Sequence, residues 1–246
     1  MGGTLALART AHAAQITNRL LDRLPEKDRA RVLSGCDQVD LVLHETIAEP
    51  GATIRNIYFP LGGFISLLTP MGGKDMLEVA LRGNEGMYGT PVALGVDISA
   101  VHALVQGGGS ALQMGAATFR RDIARMPTLR SALDRYIYVL MTQLNQTAGC
   151  NRFHVVDQRV ARWLLMTADR AHSPSFKITH EFLARMLGVR RVGITKAAGT
   201  LQKRKLIHYT RGKVTILDRK GLERASCACY RADLATYERI FASQAA

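Results

Sequence analysis

The stretch that decides the fold lies between residues 178 and 205 and reads ITHEFLARMLGVRRVGITKAAGTLQKRK. Thr179 can cap a helix through its hydroxyl oxygen, and apolar residues then recur at helical period as far as Leu187. Gly188 ends this helix, because a residue without a Cβ enters the left-handed region at little cost. A second helix is predicted over residues 190–205. Two short helices joined by a glycine turn have the spacing of a DNA-binding helix-turn-helix.

A β-hairpin is predicted directly after the second helix. Two short apolar runs, at residues 206–210 and 214–217, flank an Arg-Gly-Lys turn that carries two cations. A helix-turn-helix followed by such a hairpin is a winged helix, whereas the alternative is two hairpins that merely pack together. The winged helix is favoured by the cations on the outer face of the second helix, which are Arg190, Arg191, Lys196, Lys203 and Arg204.

Positive charge is concentrated in the same part of the chain. The formal net charge is +13, and residues 153–246 hold 18 Lys or Arg against 7 Asp or Glu, whereas residues 1–152 hold 15 against 13. Docking on DNA phosphates requires this distribution. A membrane-surface protein would need a basic amphipathic helix or a lipidation signal, and neither is visible. We recognise no signal peptide at residues 1–14 and no membrane span. The four cysteines form no C-x-x-C pair and a chain of this size needs no disulfide framework, so we expect a cytoplasmic protein with reduced thiols.

Short apolar or alternating runs separated by glycine-rich turns fill residues 39–118 and predict an antiparallel barrel or sandwich. A long helix follows from Pro127. Its apolar spacing is that of a coiled-coil seam, and we expect the seam to pair two copies of the chain. Alternatively, the helix packs only on its own barrel, for which Tyr136 and Met141 are candidates. The seam residues are Leu133, Ile137, Leu140 and Leu144.

With this order of elements, the chain resembles the Crp–Fnr family of bacterial transcription regulators over nearly its whole length. The most specific matches are DQRVARWLL at residues 157–165 and ITHEFLARMLGVRR at residues 178–191. The resemblance implies an α+β protein with three parts. These are an antiparallel β-roll (jelly-roll) sensor domain at 18–126, a dimerisation helix and hinge at 127–152, and a winged helix-turn-helix domain at 153–246.

The resemblance also implies a homodimer that binds double-stranded DNA at promoters, with the second helix in the major groove, and that contacts RNA polymerase. Family members typically read bases with an Arg-Glu pair. Here Arg191 matches the arginine, Val192 replaces the glutamate, and Lys196 stands where a third reading residue is common. An arginine fits a guanine edge, whereas a valine can only contact a thymine methyl, so we expect an altered half-site. The expected phosphate contacts are Thr179, Arg190, Thr195, Lys203, Arg211 and Lys213.

The sensor half departs from the cyclic-nucleotide binders of the family. In those proteins a Gly-Glu pair holds the ribose and an Arg-Ser/Thr-Ala sequence holds the phosphate. Gly89 matches the glycine, but Thr90 replaces the glutamate, and Ile98 replaces the arginine before Ser99 and Ala100. A buried phosphate without its cation is costly. We therefore expect no cyclic-nucleotide binding of the usual kind and no cofactor, and the sequence does not identify a small-molecule effector.

The cysteines and histidines of the sequence suggest no metal centre. Cys227 and Cys229 could be half of a site, but no second pair stands at ligand spacing, so we expect none. The iron–sulfur branch of the family clusters its cysteines near the N-terminus, and this chain does not. Candidate haem ligands are Cys36, His44 and His102, and we expect ordinary roles for them.

We expect a regulator rather than an enzyme, and two alternatives stand beside it. A cupin-like metal-dependent enzyme would need a cluster of histidines and a carboxylate, whereas the barrel region offers only two histidines. A sequence-indifferent architectural DNA-binding protein would share the basic surface but not the base readout. If a signal gates the activity, we expect the hinge at residues 149–154.

Overall fold

The computed structural model describes residues 17–73 and 75–242. Residues 1–14, in which no signal peptide is predicted, lie outside these ranges. No helix in the described part of the chain is long and apolar enough to span a bilayer.

In the described part of the chain, seven antiparallel strands form an N-terminal β-roll of two sheets. One sheet has the order β1 (Asp37–Leu41), β7 (Gly109–Gly115), β3 (Asn56–Pro60). The other has the order β2 (Thr46–Ala48), β6 (His102–Gly107), β4 (Phe64–Pro70), β5 (Met76–Arg82). The predicted antiparallel architecture is confirmed, and β2 was missed because three residues are too few to show an alternating pattern. The core of the roll includes Ile57, Phe59, Ile65 and Val105.

Helices surround the roll, and one of them leads away from it. A 3-10 turn (Leu21–Arg23) and α1 (Glu26–Ser34) precede the roll, and α2 (Thr90–Ala93) lies in the connection before β6. After β7 come α3 (Ala116–Arg125) and the 27-residue α4 (Pro127–Phe153). A proline starts α4, where its missing N–H costs nothing.

The first half of α4 packs on the β-roll of its own chain. Tyr136 is 1% exposed, and its hydroxyl accepts a hydrogen bond from the Met87 N–H at 3.1 Å. Gly86 lies against the same hydroxyl, and a Cβ at this position would be 1.8 Å from the oxygen. The helix is therefore tied to the loop that follows β5.

This packing corrects the predicted dimer seam. Leu133 is completely buried in its own chain and Leu140 is 7% exposed, so neither offers surface to a partner. Ile137 is half-buried and Leu144 is 42% exposed. Met141, a candidate for packing on the barrel, is instead 59% exposed. The heptad spacing could not separate these sets, because α4 is apolar on two faces.

The winged helix is built as its local signals predict. It comprises α5 (Val156–Ala171), β8 (Ser175–Lys177), α6 (His180–Leu187), α7 (Arg191–Lys203), β9 (Ile207–Thr210), β10 (Lys213–Ile216) and α8 (Arg219–Ala225). The Thr179 hydroxyl accepts a hydrogen bond from the Phe182 N–H at 3.1 Å, and Gly188 has a φ of 61°. Arg190 is the N-cap of α7, so the helix begins one residue later than predicted and ends at Lys203. Strand β8, which was not predicted, pairs with β10.

The last helix, α9 (Cys229–Ala242), returns to the N-terminal domain. Tyr237 and Phe241 belong to the same apolar core as the β-roll, and the Tyr237 hydroxyl donates to the Glu85 carbonyl at 2.9 Å. The predicted domain of residues 153–246 is therefore not one compact unit. Helix α4 also runs unbroken through most of the predicted hinge, and the chain turns only at His154.

Candidate nucleic-acid interface

Helix α7 has one buried face and one cationic face. Ile194, Ala197, Ala198 and Leu201 are buried in the core of the winged helix, as predicted. The remaining side chains of α7 include no Asp or Glu. The helix therefore presents positive charge to solvent without an acidic neighbour on the same element.

The three predicted base-reading residues share the exposed face of α7. Arg191 and Lys196 are exposed, and Val192 is 72% exposed. At 100° per residue, the three positions span an arc of about 140°. No described carboxylate lies within ion-pair distance of either cation. In contrast, the structural arginines Arg162 and Arg170 lie 2.6 and 2.7 Å from their carboxylate partners.

The predicted phosphate-binding residues surround this face. Thr179 and Arg190 stand at the N-termini of α6 and α7, and Lys203 stands at the end of α7. Arg211 and Lys213 are exposed at the wing, where the turn between β9 and β10 lies. Four of these five are cations without a described ion-pair partner, whereas Thr179 uses its hydroxyl as the helix cap.

Thr195 differs from the other predicted phosphate contacts, because its hydroxyl is already engaged. It donates to the Arg191 carbonyl at 3.1 Å and lies 3.1 Å from Nδ1 of His180. The His180 ring stacks on Tyr209 of the wing, with ring centroids 4.4 Å apart. Burial, and secondarily the charge of Arg191, lowers the pKa of His180. Sequence reasoning missed His180, because its role depends on contacts with α7 and β9.

Tyr209 ties the wing to both helices. Its backbone N–H donates to Oε1 of Gln202 at 2.6 Å, and its hydroxyl donates to the carbonyl of Ile178. Together with the His180 stack, these bonds fix the wing relative to α7. The cations of the wing and of α7 are therefore held as one surface.

The winged helix also contacts the β-roll of its own chain. The Trp163 indole N–H donates to Oε1 of Glu78 at 2.7 Å, and Arg170 pairs with Glu85 at 2.7 Å. Burial raises the pKa of Glu78 to about 7, and hydrogen bonds from Ser66 and Trp163 lower it only in part. Strand β5 and the loop after it therefore form the polar seam between the two domains.

The residues that match the cyclic-nucleotide site do not form an open pocket lining. Gly89 is buried, has a φ of 97°, and would place a Cβ 2.4 Å from Cδ1 of Ile57. The buried Ser99 hydroxyl donates to the Val101 carbonyl at 2.8 Å. Thr90 is partly exposed and Ala100 is exposed.

The candidate haem ligands do not converge on one point of the roll. His44 is exposed, His102 Nδ1 lies 2.8 Å from Oε2 of Glu49, and the Cys36 thiol donates to the Val32 carbonyl at 3.2 Å. Within the described residues, the group of cysteine, histidine and carboxylate side chains close enough to share a metal lies elsewhere.

That group overturns the expectation that Cys227 and Cys229 lack further ligands. Cys150 and His154, near the end of α4, meet the two cysteines, and their four ligand atoms all lie within 4.8 Å of one another. The hydrogen bond between Cys150 and Cys227 lowers the pKa of Cys150 and raises that of Cys227. The sequence hid the group, because its two halves are 77 residues apart.

Comparison with known proteins supports both domains. Residues 158–225 match the family of the Crp-like helix-turn-helix domain. The c-di-GMP responsive global regulator CLP of Xanthomonas campestris has the same fold, with a TM-score of 0.64, 15% identity, and coverage of 78% of this chain and 99% of CLP. FixK2 of Bradyrhizobium japonicum also has this fold, with a TM-score of 0.64, 11% identity, and coverage of 78% of this chain and 98% of FixK2. A putative crp/fnr-family transcriptional regulator of Eubacterium rectale is similar too, with a TM-score of 0.64, 17% identity, and coverage of 84% of this chain and 96% of that protein. No curated protein sequence matches the chain.

Proposed function

We propose that the chain is a Crp–Fnr-type DNA-binding transcription regulator that recognises a specific operator as a homodimer, because it carries a Crp-like helix-turn-helix domain within the fold of those regulators. Arg191, Val192 and Lys196 read base edges in the major groove. The observation that carries this proposal is the exposed face of α7, whose cations have no ion-pair partner among the described residues.

Each base-reading residue contributes a different kind of contact. The Arg191 guanidinium forms two parallel hydrogen bonds with O6 and N7 of a guanine, and Lys196 donates to a base acceptor further along the groove. Val192 offers only methyl groups, which fit a thymine methyl. The half-site should therefore contain a guanine next to a position that prefers an A·T pair.

The cations around α7 position the protein without reading sequence. Arg190 and Lys203 contact phosphates on either side of the groove, while Arg211 and Lys213 extend the contact through the wing. The N-terminus of α6, which Thr179 caps, lies against a phosphate. Thr195 donates to the Arg191 carbonyl and so stabilises the first turn of α7. Phosphate contacts of this kind make affinity fall steeply with salt.

A stripe along α4, which we call the exposed seam, supports the homodimer. It consists of Ile137, Met141, Leu144 and Ala148, at the 4-3-4 spacing of a coiled coil. Met141 and Leu144 are 59% and 42% exposed, and Ala148 is exposed. Pairing of two such stripes buries apolar surface and places two α7 helices about 34 Å apart along one face of the duplex.

The β-roll gives the regulator a place to receive a signal. It contacts the winged helix through Glu78 and Glu85, so a ligand that binds one arrangement of the domains better than another would shift DNA affinity. RNA polymerase is the further partner that a promoter-bound regulator meets. Because the promoter DNA and RNA polymerase of a bacterium lie in the cytoplasm, the protein acts there too.

Selection of binding sites from a random DNA pool tests the proposal directly. The purified full-length protein should enrich a two-fold symmetric sequence with half-sites about one helical turn apart, and that sequence should bind ~10³-fold or more tightly than random DNA. Equal enrichment of unrelated sequences would instead identify an architectural DNA-binding protein. Metal-dependent turnover of a small substrate would identify a cupin-like enzyme.

A further inference from the structure

Three cysteines and one histidine meet where the long helix ends. Cys150 lies in the last turn of α4 and His154 directly follows that helix, whereas Cys227 lies between α8 and α9 and Cys229 is the first residue of α9. The sulfurs of Cys150 and Cys227 are 3.5 Å apart, and the Cys229 sulfur is 3.5 Å from Nδ1 of His154. The three cysteines are at most 4% exposed, whereas His154 is half-buried.

These distances fit a single tetrahedral ion. A Zn²⁺ ion with Zn–S bonds of about 2.3 Å and a Zn–N bond of about 2.1 Å places two sulfurs roughly 3.8 Å apart, and a sulfur and a nitrogen roughly 3.6 Å apart. All four ligand atoms lie within 4.8 Å of one another. An iron–sulfur cluster would spread its cysteines over several irons and hold them farther apart. We propose that Cys150, His154, Cys227 and Cys229 bind one Zn²⁺ ion.

A buried cation beside the group gives independent support. Arg159 is 8% exposed, and its Nε has no hydrogen-bond partner. Its terminal nitrogen donates to the side chain of Asn151 and to a backbone carbonyl, and no described carboxylate pairs with it. The groups able to carry negative charge that act on it are Cys150 and Cys227. A buried charge without a counter-charge is costly.

The charges balance when the metal is bound. Three thiolates and one Zn²⁺ ion carry a net charge of −1, which Arg159 neutralises. The neighbouring Arg162 does not change this sum, because it pairs with Asp233 at 2.6 Å. On binding, the three thiols release their protons to solvent, and no electron is transferred.

The surroundings of the site also orient a ligand. The Gln146 side-chain amide donates to the Cys229 sulfur at 2.9 Å. Such hydrogen bonds to metal ligands hold them in place and tune their basicity. A disulfide between Cys150 and Cys227 would involve only two of the four groups. It would not explain why Cys229, His154 and the Gln146 amide lie against the same point.

The ion would link the segment that follows α8, where the chain leaves the winged helix, to the C-terminal end of α4, where the chain enters it. Cys150 belongs to α4 and His154 caps its C-terminus, whereas Cys227 and Cys229 follow α8. The metal therefore fixes the winged helix on the dimer helix. Its effect on operator affinity rests on the proposed function, whereas metal binding itself does not.

Metal analysis of the full-length protein, purified under reducing conditions, tests the site. We expect about one equivalent of zinc per chain, and thiolate-to-cobalt charge-transfer absorption after replacement by Co²⁺. His154→Ala and Cys229→Ser should each weaken metal retention at least ~10-fold. Cys36→Ser is the matched control, because Cys36 lies outside the group, and it should retain the full equivalent.

Three results would overturn the site. One is a wild-type protein that carries less than about a tenth of an equivalent of transition metal and gives no charge-transfer band with Co²⁺. Another is retention of zinc by both ligand variants at the wild-type level. The third is a Cys150–Cys227 disulfide in freshly isolated protein. His154→Ala keeps the test independent of folding, since this side chain is only half-buried, and circular dichroism checks the fold. Normal metal binding without sequence preference would reject the proposed function alone.

Discussion

The indole N–H of Trp163 in the winged helix donates to Oε1 of Glu78 in the β-roll at 2.7 Å. Glu78 is half-buried between the two domains, and the pKa of its carboxyl is raised from 4.5 to about 7, chiefly by burial. Arg170 and Arg162 lower this pKa, but they offset burial only in part. The contact between the DNA-binding domain and the roll therefore includes a carboxyl that titrates near neutrality.

This titration makes stability depend on pH. The folded state holds the Glu78 proton more tightly than the unfolded state, so its contribution is fully present below about pH 4.5 and is lost as pH rises through about 7. Glu78→Gln keeps an acceptor for Trp163 but does not titrate. The free energy of unfolding, wild type minus variant, should fall across this window by at most ~1.4 kcal/mol per pH unit. Glu45→Gln, at an exposed carboxylate, should leave the wild-type profile unchanged. If the difference in free energy of unfolding between wild type and Glu78→Gln does not change with pH, the pKa of Glu78 lies in the ordinary range.

A second prediction concerns the contact between Gly86 and Tyr136. A Cβ at Gly86 would lie 1.8 Å from the hydroxyl oxygen and 2.2 Å from the ring carbon that carries it, so the ring would have to move. We expect Gly86→Ala to lower the free energy of unfolding by ~1–3 kcal/mol in chemical denaturation. Gly149→Ala is the control, since nothing lies within 4 Å of its Cβ and a helical glycine disfavours the helix, so this variant should gain up to ~1 kcal/mol. Equal stability of the two variants would contradict the packing.

The exposed seam leads to a third prediction. Leu144→Glu places a charge where we propose that two α4 helices meet, so sedimentation should report a monomer at concentrations at which the wild type is expected to be a dimer. Operator affinity should fall at least ~10-fold, because each half-site then binds alone. Leu94→Glu introduces the same change at a leucine that is 58% exposed on the roll, and it should remain dimeric. A dimeric Leu144→Glu protein would show that the chains pair elsewhere.

The sequence predicted those parts of the molecule whose signals are local. The Thr179 cap and the Gly188 turn need only neighbouring residues, and the structure has both. Predicting the dimer seam required knowing which face of α4 the roll covers, and the predicted seam residue Leu133 lies on the covered face. His180 and the cysteine group were missed for a related reason. Their partners are distant in sequence, and only the packing of α7, the wing and α9 brings them together.

The last prediction separates base reading from phosphate binding. Arg191→Ala removes the guanidinium that we propose reads a guanine, so preference at one position of each half-site should flatten, at a cost of ~1–3 kcal/mol against the preferred base. Lys213→Ala removes a cation from the wing, so affinity for every sequence should fall by a similar factor, and the salt dependence of log K should lose about one unit of slope.

Titrations of both variants with the selected operator, its single-base substitutions and random DNA, at several salt concentrations, distinguish the two roles. Glu238→Gln, on α9, is a control for a charge change away from the interface. If Arg191→Ala weakens all sequences equally, or Lys213→Ala changes the preferred base, the division of α7 and the wing into reading and positioning surfaces is wrong. The division is expected to hold because Arg191 stands on the first turn of α7, where a recognition helix meets base edges, whereas Lys213 is on the hairpin that we propose contacts the DNA phosphates.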